Sequence, residues 1–170
     1  MNHWNMHRNH CAKDNEYIMS ENSYRKEFFM PVNAEKVINA ITKEVDQWWT
    51  IDSNQAVNVG ETLIVRFGQP YFMSMEVEKI VPNKLLDWRV VGANMFVEGG
   101  GDNNDEWIGT RIQWIINEKE GGSDVVLHHE GLIPSFECYE TCSNGWEYFL
   151  GSLEKYLSTG EGSPFQEVKE

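Results

Sequence analysis

The stretch that decides the fold is CYETCSNGWEYFLGSLEKYLS, residues 138–158. Its large apolar side chains recur at spacings of three and four, which predicts one long amphipathic helix. The apolar stripe consists of Cys142, Trp146, Phe149, Leu153 and either Tyr156 or Leu157. Gly160 and Pro164 follow, as is typical of a helix end. A single helix with one apolar face needs a sheet or another helix to cover that face.

Two glycines inside this predicted helix need an explanation. Gly145 and Gly151 each cost up to about 1 kcal/mol relative to alanine in a helix interior. Tertiary packing must outweigh that cost. We therefore expect the helix to approach the sheet closely at these two positions.

Upstream of the helix, Met73, Met75 and Val77 alternate with Ser74, Glu76 and Glu78, and this period of two indicates a half-buried strand. We predict strands at residues 24–30, 55–59, 61–67, 71–81, 85–91, 107–118 and 124–132. An amphipathic helix begins after Asn33 and ends at Trp48-Trp49, and Gly60 and Gly121-Gly122 form turns. Connections of hairpin length favour an antiparallel sheet. The predicted fold class is α+β, with a sheet of about six to seven strands.

The two ends of the chain differ from this pattern. Residues 1–20 are rich in His, Asn and Met without a hydrophobic period, and we expect a disordered leader. His3, His7, His10 and Cys11 could ligate a transition metal there, but a leader of mixed polar residues is the better interpretation, so no metal site is predicted. We expect one domain over residues 21–160 and an acidic, mobile tail over residues 161–170.

The composition excludes several classes of partner. The chain of 170 residues has 14 basic and 27 acidic side chains, a net charge of -13, whereas nucleic acids and anionic membrane surfaces select basic patches. No run approaches the ~20 apolar residues of a membrane span, and the first residues lack a secretory signal, so we expect a cytoplasmic protein. Cys138 and Cys142 share a helix face as small apolar residues; a redox or metal pair is the alternative.

Three segments, in this order and spacing, carry a resemblance to a known family. They are NAEKV at 33–37 with AI at 40–41 and WW at 48–49, then HEGL at 129–132, then NGW at 144–146 with Leu150, Leu153 and YL at 156–157. Together they resemble the homologue family of the activator of the heat-shock-protein-ninety ATPase, within the START/SRPBCC superfamily. The resemblance covers about residues 23–160.

This resemblance implies a START-like, helix-grip fold: a curved antiparallel sheet around the C-terminal helix, with an internal cavity. Members of the superfamily bind lipids, sterols, polyketides and plant hormones, and a few catalyse cyclisation or dehydration of polyketides. The family name comes from a eukaryotic co-chaperone, and we do not carry that activity over to this chain.

Apolar side chains from the strands and the helix are expected to converge between sheet and helix. Met is flexible and suits a surface that fits variable apolar ligands, and the sequence has seven Met and seven Trp. The expected ligand-binding residues are Met73, Met75, Trp88, Met95, Phe96, Trp114, His129, Trp146 and Phe149. Met95 and Phe96 lie in the Gly-rich segment 92–105, which we expect to control access to the cavity, with Val97 adding to its apolar surface.

Catalytic residues are few. His129 is in register with Val125 and Leu127 and should face inward. It is either a core histidine or, with Glu76 or Arg111 beside it, a candidate general base. No motif of a hydrolase, metalloprotease or nucleotide-binding protein occurs, and no cofactor is predicted.

Three hypotheses about function follow. The first is non-catalytic binding of an apolar or aromatic small molecule, such as a lipid or polyketide, in the cavity. The second is a cyclase, dehydratase or hydrolase acting in the same cavity. The third is a protein-interaction module, such as a chaperone cofactor. A protein partner or a homodimer is compatible with all three.

Overall fold

A computed structural model describes residues 22–96 and 104–168. The elements are β1 (Tyr24–Met30), α1 (Ala34–Thr42), a short 3-10 helix (Val45–Gln47), β2 (Thr62–Arg66), β3 (Phe72–Val81), β4 (Leu85–Asn94), β5 (Arg111–Lys119), β6 (Gly122–Glu130) and α2 (Tyr139–Thr159). The predicted order of strand, helix, several strands and a long last helix is confirmed.

The six strands form one antiparallel sheet in the order β1-β6-β5-β4-β3-β2. Neighbours along the chain pair as hairpins from β2 to β6, and β1 closes on β6 with Tyr24 opposite His129. The pairing of β3 with β4 shifts register twice, and such irregularities bend a sheet. The inner face carries Leu, Met, Trp and Ile side chains that are fully buried, and the α+β helix-grip fold is confirmed.

Four strand predictions differ from the structure by more than one residue. Strand β6 spans Gly122–Glu130 rather than residues 124–132, so Gly122 begins the strand instead of belonging to the turn. Residues 55–59 form no strand; in that region only Ser53 bridges to the sheet, opposite Val65. Strand β5 begins at Arg111 rather than at residue 107, because a turn with Gly109 at φ +87° precedes it. Strand β4 continues to Asn94, so the start of the predicted Gly-rich segment is part of the sheet. The rest of that segment, residues 97–103, lies outside the described residues.

Helix α1 is amphipathic as predicted, but it ends at Thr42 rather than at Trp48-Trp49, because the chain leaves the helix at Lys43 and a separate 3-10 helix precedes the Trp pair. Its first turn is capped from two sides. The Asn33 side chain accepts a hydrogen bond from the Lys36 amide at 2.9 Å, and the Glu118 carboxylate accepts from the Ala34 amide at 3.1 Å. After the helix, Trp48 donates its indole hydrogen to the Ala40 carbonyl at 2.8 Å. This hydrogen bond holds Trp48 against α1, and both Trp48 and Trp49 are buried in the core.

Helix α2 ends as predicted at Gly160, whose left-handed φ of 85° closes the last turn. Its buried side includes Cys142, Trp146, Leu150 and Leu153, while Phe149, Tyr156 and Leu157 are partly buried. The expectation for the two glycines is wrong: an added Cβ would meet no atom within 4 Å at either Gly145 or Gly151. Neither glycine is needed for close approach to the sheet.

The chain beyond α2 returns to the core. Phe165 donates its amide to the Trp49 carbonyl at 2.8 Å and accepts from the Ile51 amide at 3.0 Å. Ser152 of α2 supports this return, because its hydroxyl oxygen accepts from the Ser163 amide. We call residues 161–168 the C-terminal strap. The leader predicted for residues 1–20 lies outside the described residues.

Within residues 22–96 and 104–168, no helix is both long enough and apolar enough to cross a membrane.

Candidate ligand-binding cavity

A cavity of about 380 Å³ lies between helix α2 and the ends of β3 and β4. Helix α2 contributes Thr141, Cys142, Gly145, Trp146 and Phe149. The sheet side contributes Phe72 and Met73 from β3, Asn94 at the end of β4, and Met95 and Phe96 immediately after it. The loops contribute Trp49, Phe67, Tyr71 and Trp107, and the strap contributes Phe165.

The walls of the cavity are mostly aromatic: nine of the fifteen lining residues are Phe, Tyr or Trp. Trp146 is stacked on Trp107 with ring centroids 5.7 Å apart and packs against Trp49 at 5.2 Å. On another wall, Phe67 contacts Phe149 at 5.8 Å and Phe165 at 5.5 Å. Aromatic pairs at these distances contribute stability beyond the area that they bury. The space is therefore framed by rings that support one another.

The predicted ligand-binding residues fall into two groups. Met73, Met95, Phe96, Trp146 and Phe149 line the cavity. Met75, Trp88, Trp114 and His129 are fully buried and lie outside its lining. Strand periodicity predicts which side chains lie on the inner face of the sheet. Whether such a side chain lines the cavity or is covered depends on the residues that pack over it. Trp49 and Trp146 pack on Trp88 and Trp114 and separate them from the cavity.

His129 sits in a directed chain of hydrogen bonds rather than in the cavity. The Trp146 indole can only donate, so it donates to His129 Nδ1 at 3.1 Å. The proton of the neutral ring is then on Nε2, which donates to Thr110 Oγ1 at 2.8 Å. The Thr110 hydroxyl donates onward to the Trp107 carbonyl at 2.6 Å. The chain ties together Trp146 and Trp107, two walls of the cavity.

This environment is fully buried and disfavours the charged form of the His129 ring. Full burial, with a minor contribution from His128, lowers the pKa of His129 to about 3. Both ring nitrogens are occupied, and neither Glu76 nor Arg111 is among its hydrogen-bond partners. A general base must reach a substrate proton and have a pKa near the working pH. His129 meets neither condition in this arrangement.

Cys138, which immediately precedes α2, and Cys142 within the helix are free and buried. Cys142 lines the cavity, and its sulfur accepts the Trp107 indole hydrogen at 3.1 Å. The hydrogen bond with Cys142, together with burial and the nearby Glu106 carboxylate, raises the pKa of the Cys138 thiol. A raised pKa keeps a thiol protonated and unreactive, which favours the prediction of small apolar residues over a redox pair.

Sequence reasoning missed Trp49, Phe67, Tyr71, Phe72, Trp107 and Phe165 as cavity residues. Most of them lie in loops or beyond a helix end, where no hydrophobic period exists to be read. A signal was present only for two of them. Trp49 belongs to the Trp pair that carries the family resemblance, and Phe165 is the one aromatic residue in an acidic, polar tail.

Fold and cavity together define a helix-grip protein with an apolar, ring-lined interior. The family model of activator of Hsp90 ATPase homolog 1-like proteins matches residues 31–158, and the chain belongs to that family. Among curated proteins, no match to this sequence is found.

Solved structures agree with the fold. The Aha1 dimer from Colwellia psychrerythraea is 26% identical, with 82% of this chain and 98% of that chain covered and a TM-score of 0.68. Protein MLL2253 from Mesorhizobium loti is 18% identical, with 80% and 96% covered and a TM-score of 0.66. DynU16, a putative protein in the dynemicin biosynthetic locus, is 20% identical, with 83% and 49% covered and a TM-score of 0.61.

Proposed function

We propose that the protein binds an apolar, ring-containing small molecule in the cavity without transforming it. The observation that carries this proposal is the cavity of about 380 Å³ with nine aromatic residues in its lining. Ligand pockets of about 300–1,000 Å³ are typically apolar and have a few polar groups that orient the ligand. Here the hydroxyl of Thr141 is such a group, since it has no hydrogen-bond partner among the described residues.

Gly145 supports the proposal from the helix side. It lines the cavity, and an added Cβ would meet open space. A glycine in mid-helix lowers stability by up to about 1 kcal/mol relative to alanine, and close packing does not account for it here. Room for a ligand against the helix backbone does. Binding thus explains a residue that the fold alone does not require.

The experiment is a fluorescence titration with N-phenyl-1-naphthylamine, a neutral ring-containing probe whose excitation overlaps tryptophan emission. We expect saturable binding with one probe per chain. Gly145→Leu should abolish it, because the new side chain occupies the cavity. Gly151→Leu is the matched control: it is the same change on the same helix, at an exposed position outside the lining.

Circular dichroism first checks that both variants are folded, so that a loss of probe binding reports on the cavity rather than on unfolding. Loss of probe binding in Gly145→Leu alone supports the cavity as the site. Equal loss in both variants, or no saturable binding in the original protein, would contradict the proposal.

The enzymatic alternative is not favoured by the geometry of His129, which is bonded at both nitrogens and buried. A second proposal is self-association, because the Colwellia psychrerythraea relative, 26% identical, is described as a dimer. Light scattering after size-exclusion chromatography over a hundredfold concentration range tests it. We expect a mass of twice 19.7 kDa at the upper end, and a mass of one chain throughout would contradict this second proposal.

A further inference from the structure

We infer that the cavity selects its ligand by charge: it admits neutral and cationic apolar molecules and excludes anionic ones. The inference rests on the proposed function and narrows it. Fatty acids and phosphorylated lipids are thereby excluded as ligands, although they are apolar over most of their length. Neutral ring systems and hydrophobic amines are favoured.

The described lining of the cavity offers no counter-ion to an anion. None of its lining residues in the described part of the chain is charged. An anion that leaves water for this space would therefore lose its hydration without gaining a counter-ion, which is costly.

The aromatic rings of the lining also distinguish between ligands of different charge. The rim includes Tyr71 and Phe96, whose rings meet edge to face at 5.7 Å, and the inner walls include Trp49, Trp107 and Trp146. The face of an aromatic ring is the negative end of its quadrupole, so each of these rings that turns its face to the cavity attracts an ammonium group and repels a carboxylate. The aromatic walls that accept a neutral ring therefore favour a cationic derivative of that ring over an anionic one.

The start of helix α2 is a place beside the cavity that would ordinarily favour an anion. The N-terminus of α2 lies beside the cavity, and helix N-termini attract negative charge. Here that place is already taken: the Glu106 carboxylate accepts from the Glu137 amide at 3.3 Å and from the Cys138 amide at 3.2 Å. A second anion would meet this carboxylate rather than free amides.

The surface around the cavity carries acidic side chains. Arg66, next to Phe67 of the lining, has its guanidinium 3.6 Å from the Asp52 carboxylate. Glu167 of the strap lies against Gly68, between Phe67 and Tyr71 in the chain. The whole chain has a net charge of -13. The acidic surroundings and the aromatic lining therefore act in the same direction.

The test uses one ring system with three charges: 2-methoxynaphthalene, naphthalene-2-sulfonate and (2-naphthyl)trimethylammonium. Isothermal titration of the full chain at ~0.15 M salt, where the Debye length is about 8 Å, limits the contribution of the distant net charge. We expect the sulfonate to bind at least about tenfold more weakly than the methoxy compound, and the ammonium compound at least as tightly as the methoxy compound.

Two variants with the same change in net charge test the role of Glu106. Glu106→Gln keeps hydrogen-bonding capacity at the start of α2 but loses the negative charge. Glu137→Gln makes the same charge change on a neighbouring exposed side chain. We expect Glu106→Gln to reduce the discrimination against the sulfonate by at least about threefold and Glu137→Gln to leave it nearly unchanged.

Sulfonate binding within about threefold of the neutral compound would overturn the charge inference and leave the proposed function standing. So would an equal gain of sulfonate binding in Glu106→Gln and Glu137→Gln, since net charge alone would then explain it. Failure of all three compounds to bind would overturn the proposed function and this inference with it.

Discussion

Trp146 links the stability of the fold to the shape of the cavity. Its ring packs against Trp49, Trp107 and Trp114, and its indole nitrogen begins the hydrogen-bond chain through His129. The sequence predicted Trp146 as a buried residue of the helix stripe and as a ligand contact. It did not predict the bond to His129, because residues 17 apart in the chain have no local pattern that pairs them.

Replacement of this residue should separate packing from hydrogen bonding. Trp146→Ala removes the whole ring, and we expect a loss of about 3–5 kcal/mol in the free energy of unfolding, as for other buried Trp residues. Trp146→Phe keeps most of the packing but leaves His129 Nδ1 without its donor, so a smaller loss of about 1–3 kcal/mol is expected. Urea denaturation followed by circular dichroism measures both. A loss below about 1 kcal/mol for Trp146→Ala would contradict the packing seen here.

Among the elements, the C-terminal strap contributes to the site more than its sequence indicates. Residues 161–170 were predicted as an acidic tail outside the domain, since they are short, polar and beyond a helix end. Phe165 nevertheless pairs with the Trp49 backbone and places its ring beside Phe67 in the cavity wall. The strap therefore covers one side of the cavity without belonging to the sheet or to a helix.

Phe165→Ala should open that side. We expect release of N-phenyl-1-naphthylamine to become at least about fivefold faster, measured by stopped-flow dilution, while helix content stays the same because the strap is not part of α2. Val168→Ala is the matched control, because Val168 is 86% exposed and lies outside the cavity lining. Equal release rates in the original protein and Phe165→Ala would show that the strap does not limit escape.

The regular elements were largely predictable and their boundaries less so. Strand β1 was predicted without error from its composition and the Pro31 that follows it. Alternation located β3 to within a residue, because one face of that strand is largely buried and the other is more exposed to water. Residues 55–59 were predicted as a strand because Gly60 marks a turn after them, yet they form no strand because no neighbouring strand pairs with them along their length. Gly145 and Gly151 were assigned to close packing, whereas both face open space. Helix propensity identifies a glycine as unfavourable inside a helix, but it does not predict whether another element packs against that glycine.

At the scale of the whole molecule, the cavity forms only when distant segments of the chain fold against one another. Its lining combines residues that lie more than a hundred positions apart in the chain, such as Trp49, which follows the 3-10 helix, and Phe165 of the strap. Sequence periodicity gave the inner face of the sheet and the inner stripe of the helix, from which a cavity between them was expected. Which inner residues line empty space and which fill the core, as Trp88 and Trp114 do, depends on how completely the two faces close.

The stability of the whole molecule should depend on pH through His129. Its pKa is about 3 in the folded protein, against an ordinary value of 6.5, mainly because burial disfavours the charged ring. Between these values the unfolded chain binds a proton that the folded chain does not. Stability from this group is therefore fully present above pH 6.5 and is lost as pH falls toward 3, with a slope of up to about 1.4 kcal/mol per pH unit.

Other groups titrate in the same range, so the prediction is a difference between proteins. Glu147, for example, has its pKa lowered by hydrogen bonds from Lys26 and Tyr24, and it also loses stabilisation in acid. His129→Gln retains an acceptor and a donor in place of the ring but cannot titrate. We expect urea denaturation at pH 4, 5, 6 and 7 to show a shallower dependence for His129→Gln than for the original protein, whereas His128→Gln keeps the slope assigned to His129. Parallel curves for the original protein and His129→Gln would mean that the ring is not held neutral, and the directed hydrogen bonds from Trp146 to Thr110 would then be wrong.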